Sequence, residues 1–320
     1  MKPWRPQLYF GTVNFNDQLT ALDQWKQTAA RTDGMLLHLH FFIRHLTTPG
    51  NQNVPNAAET IQKIAPNLVG KPNIIELTFH IQNAASSPEE IARTHAKNIA
   101  DIEKAGIPIA GVDVDWILSI LDVETRQTMR LPSETDDHYF TRVLQGVIAK
   151  SARYVRAFRA AGRVEKLYAV FPPLYVDEGR WQNARKVVRG GITVSRILNG
   201  LFDAGFDGFT ADSPYFILSN PTYKAAGYYD ALHSIETTCH QRGKSFGIII
   251  NGDNKETSDA YDRQFAKTSL DALDLVMSAG LRPDQIISES WYKGPYHLVP
   301  ETTPGSYTNT VLEIARRLKR

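Results

Sequence analysis

Cysteine is almost absent from this chain: Cys239 is the only one in 320 residues. A lone thiol excludes an internal disulfide framework and a zinc centre built on several thiolates. An excess of one charge is missing too. Lysine and arginine number 36 against 34 aspartates and glutamates, for a formal net charge of +2. No basic block stands out, so the sequence predicts no nucleic-acid partner. No run of about 18 apolar residues occurs, which predicts no membrane-spanning helix. No secretory leader opens the chain, which enters an apolar run at Leu8 almost at once. The expected compartment is the periplasm or the extracellular space if a leader has been removed, and the cytoplasm otherwise. Linkers and low-complexity tracts are also lacking, so residues 1–320 read as one domain. No feature specifies an oligomeric state.

What is present is a well-mixed globular composition, 42% hydrophobic and 22% charged. Short apolar runs recur along its whole length. They are "LYFGTVNF" (8–15), "GMLLHLHFF" (34–42), "NIIELTFHI" (73–81), "IPIAGVDVDW" (107–116), "KLYAVFPP" (166–173), "GFDGFTADSPY" (205–215), "SFGIIINGDN" (245–254) and "QIISESW" (285–291). Helical patterns lie between them. "SPEEIARTHAKNIADIEKAG" (87–106) carries Ser87 as a cap, Pro88 at the first helical position, acids in the first turn and Gly106 as a stop. Residues 138–162, 257–280 and 308–320 also space apolar residues by three and four. Strand then helix, repeated eight times, predicts a single (β/α)8 TIM barrel. The first strand–helix turn reads "VNFNDQ" and lacks the glycine-rich phosphate fingerprint of a dinucleotide-binding sheet. The segment 117–137 after the fourth strand is too long for a plain turn and is expected to be a functional loop over the barrel mouth.

In this fold the chemistry gathers where strands end. Those ends are rich in polar residues. The second carries His38 and His40, the third Glu76 and His80, the fourth Asp113 and Asp115. The sixth ends on Asp212, the seventh on Asn251 and Asp253, and the eighth on Glu289. Alternation along a strand places Asp113 with Asp115, and His38 with His40. Burying an unpaired carboxylate costs several kcal/mol, about the worth of two large apolar side chains, so acids converging on one rim point to a site. Glu76 lies deeper in its strand and is expected to be structural. Asp253 sits in "NGDN", where it can serve the turn as well as the site. Trp116, Tyr175, Trp181, Tyr215, Phe216, Trp291, Tyr292 and Tyr296 follow the same rim. Flat rings beside carboxylates suit sugars, which have apolar faces and hydroxyl edges.

Cleaving a glycosidic bond needs one protonated and one ionised carboxyl group on either side of it. Asp115 and Glu289 are the main acid/base candidates, with Asp212 third and Asp113 as a tuning neighbour. Asp113, His38, His40, His80, Trp116, Tyr215, Asn251, Asp253, Trp291 and Tyr296 are the candidate substrate contacts. The partner expected is a carbohydrate, and this chemistry calls for no cofactor and no metal. Two other readings stay open. His38 and His40, joined by His80 or Asp253, have the spacing to serve a metal-dependent hydrolase. A barrel that binds glycan without cleaving it also fits.

Two stretches carry a resemblance. "AGVDVDWIL" (110–118) is similar to the strand-four signature of family 18 chitinases, with Gly111, Asp113 and Asp115 matching. Ala110 and Ile117 stand where that family has an aspartate and its catalytic glutamate. "SWYKGPYHLVPE" (290–301) resembles the strand-eight segment of family 99-like glycan-processing barrels. Trp291, Gly294, Tyr296, Leu298 and Pro300 align with one residue inserted, while Lys293 and Val299 replace that family's acids. Together they imply a carbohydrate-active glycoside hydrolase barrel of no particular family.

Overall fold

A computed structural model describes residues 4–12, 17–38, 62–78, 87–115, 124, 127–173, 194–225, 227–253, 259–290 and 295–319. Eight strands close into an all-parallel barrel in sequence order. They are β1 (Gln7–Thr12), β2 (Gly34–His38), β3 (Asn73–Thr78), β4 (Ile109–Asp115), β5 (Lys166–Phe171), β6 (Gly208–Asp212), β7 (Ser245–Ile250) and β8 (Gln285–Ser290). β8 pairs back onto β1 from Gln7↔Gln285 to Thr12↔Ser290. Each expected apolar run contains one strand. The sixth is shorter than its run because Gly205, at φ +107°, ends the preceding helix Val194–Asp203, and pairing resumes only at Gly208.

The helices follow their local signals. Ser87 accepts the Glu90 N–H, and the Glu90 carboxylate takes the Ser87 N–H in return, so Pro88–Lys104 starts on a reciprocal cap. Thr135 caps the long helix Asp136–Ala160. These two helices pack together over a buried His95 Nδ1···Tyr154 Oη contact of 2.9 Å. Burial pushes His95 down to about 3, so this imidazole is neutral and structural. Among the described residues no helix is long and apolar enough to cross a membrane.

Alternation sorts the strands into an outward face, packed under helices, and an inward face stacked in layers. The lowest layer holds Tyr168, whose hydroxyl accepts from Gln285 Nε2 at 3.1 Å. Gly111 and Gly208 make room for that ring: a Cβ there would lie 2.9 Å and 2.7 Å from it. Above sits an apolar layer of Tyr9, Leu36, Ile74, Val170, Ile249 and Ile287. The next inward positions are the polar strand ends.

The amino-terminal rim is tied by a repeated device. Asp33, Asp207 and Asp284 each sit just before an even-numbered strand. Their carboxylates accept the N–H of Leu8 (2.7 Å), Leu167 (3.0 Å) and Phe246 (2.9 Å) on the strand before. Each also donates its own N–H to that same residue's carbonyl. Asn73 does the corresponding work for the Met35 N–H at 3.0 Å. These bonds satisfy early donors of β1, β2, β5 and β7 and hold the end of the barrel opposite the polar layer.

Candidate functional site

His38 closes β2, and Glu76 is its direct partner on β3, which in turn pairs with Asp113 on β4. Three strands therefore bring an imidazole and two carboxyls to one height inside the barrel. Glu289 arrives at that level from β8, opposite Gly11 of β1. Gly11 explains how His38 and Glu289 meet across an intervening strand. A Cβ at position 11 would lie 3.2 Å from His38 Nε2 and 2.9 Å from Leu36. Without one, His38 Nε2 reaches Glu289 Oε1 at 2.9 Å, while its Nδ1 lies 3.4 Å from Glu76 Oε1. Glu289 and Asp113 are fully buried, and His38 and Glu76 are 1% exposed.

Tyr307 fixes the seam behind Glu289. Its hydroxyl accepts the Gly11 N–H at 3.0 Å and lies 2.6 Å from the carbonyls of both Gly11 and Ser288. One residue further on, Ser290 Oγ donates to Thr12 Oγ1 at 2.8 Å. The backbone carrying Glu289 is thus held by a side chain from the last helix, Tyr307–Arg317, as well as by its strand partners.

Asp115 and Asp212 stand at the ends of β4 and β6, facing inward, and both keep part of their surface in solvent. The cluster therefore has a sealed tier of His38, Glu76, Asp113 and Glu289 beneath a half-buried tier of Asp115 and Asp212.

Electrostatics follow from this crowding. Burial works against a charged His38, but Glu76 and Glu289 outweigh it and push the imidazole up to about 10. His38 is therefore a cation at neutral pH, held between two glutamates. Burial, reinforced by Glu76 and Glu289, pushes Asp115 up to about 8, with His38 acting in the opposite direction. Burial first, and then Glu289, Asp115 and Glu76, raise Asp212 well above the usual carboxylate range. Asp113 is raised by burial and by Glu76, Glu289 and Asp115. Carboxyls that hold protons at neutral pH beside a carboxylate paired with a cation form an arrangement able to donate and accept protons.

The structure thus gathers His38, Asp113, Asp115, Asp212 and Glu289 from the residues singled out in the sequence. It also adds Glu76 to the same tier, where a purely structural role was expected. Asn251 is buried at the end of β7, and its carbonyl accepts the Tyr215 N–H at 2.9 Å. Tyr215 itself is half-buried against the core. Asp253 turns to the next helix: its N–H donates to Thr268 Oγ1 at 2.9 Å, and its carboxylate faces Gln264 at 3.4 Å. Tyr296 is 57% exposed with its ring edge-on to His297. Buried Asp262 pins that segment by accepting the N–H of Tyr296 (2.6 Å), the N–H of His297 (3.1 Å) and His297 Nδ1 (2.8 Å). His40, His80, Trp116, Tyr175, Trp181, Trp291, Tyr292 and residues 117–123, 125 and 126 of the loop lie outside the described residues.

Two contributors were missed in the sequence. Gly11 is one, and its signal is a glycine inside an apolar strand, which marks a close approach of other groups. Tyr307 is the other, and nothing local distinguishes it from a core aromatic.

No family model matches the chain, and no curated relative does. Solved structures do. The catalytic domain of beta-amylase from Paenibacillus polymyxa aligns over 99% of each chain at 8% identity, TM-score 0.57. The endo-1,4-beta-D-mannanase from Thermotoga petrophila aligns over 98% of this chain and 99% of its own, at 11% identity and TM-score 0.51. A beta-galactosidase from the psychrophilic Marinomonas ef1 aligns over 98% of this chain and 59% of its own, at 10% identity and TM-score 0.52. A lyase and a decarboxylase also match at lower TM-scores. At these identities the likeness establishes the architecture: this chain is a closed, eight-stranded parallel (β/α)8 barrel.

Proposed function

We propose that the protein is a single-domain glycoside hydrolase working through paired carboxyl groups at the carboxyl-terminal mouth of the barrel. The observation that carries the reading is the half-buried pair Asp115 and Asp212, which face inward above an ionised floor. Asp115 ionises at about 8. Burial first, and then the charges of Glu289 and Asp115, keep a proton on Asp212. A carboxylate and a proton-bearing carboxyl on one rim are the two groups that glycosidic cleavage requires. In this scheme Asp115 acts as base or nucleophile, and Asp212 protonates the leaving oxygen. Glu289, fully buried and bonded to His38, sets the charge beneath them. Ile117 stands where family 18 chitinases have their catalytic glutamate, so in this reading Asp212 supplies the acid from another strand. The matched amylase, mannanase and galactosidase folds support the class without choosing a sugar.

The test is product analysis by mass spectrometry on a glycan panel that includes α-glucan and β-mannan. Wild type is run beside Asp115→Asn and Asp212→Asn. Cleavage by wild type with a loss of about 10²–10⁴-fold in each variant is expected. Cleavage untouched by either change, or no cleavage of any glycan, refutes the proposal.

A further inference from the structure

The geometry points to a divalent transition-metal site in the sealed tier, ligated by His38, Glu76 and Glu289 with Asp113 at its edge. One ligand atom from each of the first three lies within 4.8 Å of the others. His38 Nε2 and Glu289 Oε1 are 2.9 Å apart. Two ligands on adjacent corners of an octahedron, each about 2.1 Å from an ion, stand about 3.0 Å apart, so this edge already has coordination length.

Asp113 supplies an independent observation. It is fully buried, and among the described residues neither of its carboxylate oxygens has a hydrogen-bond partner. Its place between Glu76 and Tyr168 in the ladder turns it to the same inward face. Burial without a partner keeps such a group protonated, whereas a cation beside it would let it ionise and would attract the resulting charge.

The size of the occupant follows from exposure. The four side chains are 0–1% exposed, so no sugar ring can rest on them, but a bare ion fits among them. Its type follows from the donors. Binding displaces the His38 proton, and one neutral imidazole with carboxylates suits Mn²⁺ or Zn²⁺. Ca²⁺ is disfavoured because it takes six to eight oxygen ligands. This inference does not rest on the proposed reaction, since the floor can hold an ion whatever chemistry occurs above it.

The test measures binding without substrate. The full chain is stripped with chelator, dialysed separately against Mn²⁺ and Zn²⁺, and assayed for bound metal and by calorimetry. One ion per chain with sub-millimolar affinity is expected, and Glu76→Gln should weaken it by about 10–100-fold, the range seen when a metal shell is disturbed. Electron spin-echo spectroscopy of the Mn²⁺-loaded wild type should show coupling to one imidazole nitrogen, so the test does not depend on the variant folding. Wild type that binds no ion, a Glu76→Gln protein that keeps wild-type affinity, or a spectrum without nitrogen coupling overturns the site. Glycan cleavage plays no part in these readouts, so failure here and failure of the glycosidase reading are told apart.

Discussion

Replacing His38 by glutamine should change how stability depends on pH, and the size of the change can be worked out. The folded imidazole titrates at about 10, against 6.5 when unperturbed. At about 1.36 kcal/mol per pKa unit, the ion triad with Glu76 and Glu289 is worth up to about 5 kcal/mol to the native state. The folded pKa is raised, so this stability is fully present below pH 6.5 and is lost as pH climbs through 10. About 4 kcal/mol should remain at pH 7 and under about 1 kcal/mol at pH 10, a fall of about 3–4 kcal/mol. Asp113 and Asp212 are raised as well, but both proteins carry them. Asp115 is also raised, but a raised carboxyl costs stability between its unfolded value of 3.8 and about 8, and adds no slope above that. Urea unfolding in chelator, followed by tryptophan fluorescence from pH 7 to 10, gives the curves. Subtracting the His38→Gln curve cancels the tyrosines and lysines common to both proteins. The difference should shrink by about 3–4 kcal/mol from pH 7 to pH 10. Parallel curves would show that His38 is not a cation in the folded protein, and the electrostatic description of the floor would fall with it.

Three other outcomes are expected. Gly11→Ala inserts a methyl group 2.9 Å from Leu36 and 3.2 Å from His38 Nε2; it should cost about 1–3 kcal/mol in denaturant titrations and break the His38–Glu289 contact in a crystal structure. Asp113→Leu replaces a buried, unpartnered carboxyl, so thermal unfolding should show stability raised by about 1–3 kcal/mol while metal uptake is lost. In the pH–rate profile on a cleaved glycan, activity should rise as pH increases through about 8, where Asp115 ionises, and this limb should vanish in Asp115→Asn.

The strands were legible because each is an apolar run bounded by turn residues, and closure followed from their count. Asp115 and Asp212 were legible because each ends such a run on the inward parity. Glu76 was not, and the reason is shear. It stands two residues before the end of β3, yet it pairs directly with His38, the last residue of β2. Depth counted along one strand does not give height in a barrel whose strands are staggered. The His38–Glu289 contact was illegible for a related reason, since it depends on a missing side chain on the strand between them. Asp253 and Tyr296 looked like site residues because they follow strands seven and eight, but local partners in the helix 259–278 claim the Asp253 side chain and the Tyr296 N–H. The recurring aspartates at 33, 207 and 284 were visible as residues, but their shared role emerges only when neighbouring strands are aligned.

The tyrosine wedged between the first and last strands also imposes an order on synthesis. Its hydroxyl joins Gly11 to a residue 296 positions later. At about 5–20 residues per second, a ribosome needs about 15–60 s to span that gap. Its β2 partner is available early, but the β1 edge that will meet β8 has none until β8 is made, and an open strand edge is where a chain pairs with the wrong neighbour. The same closure that seals the acidic floor therefore leaves the emerging chain with an exposed β1 edge until β8 is made.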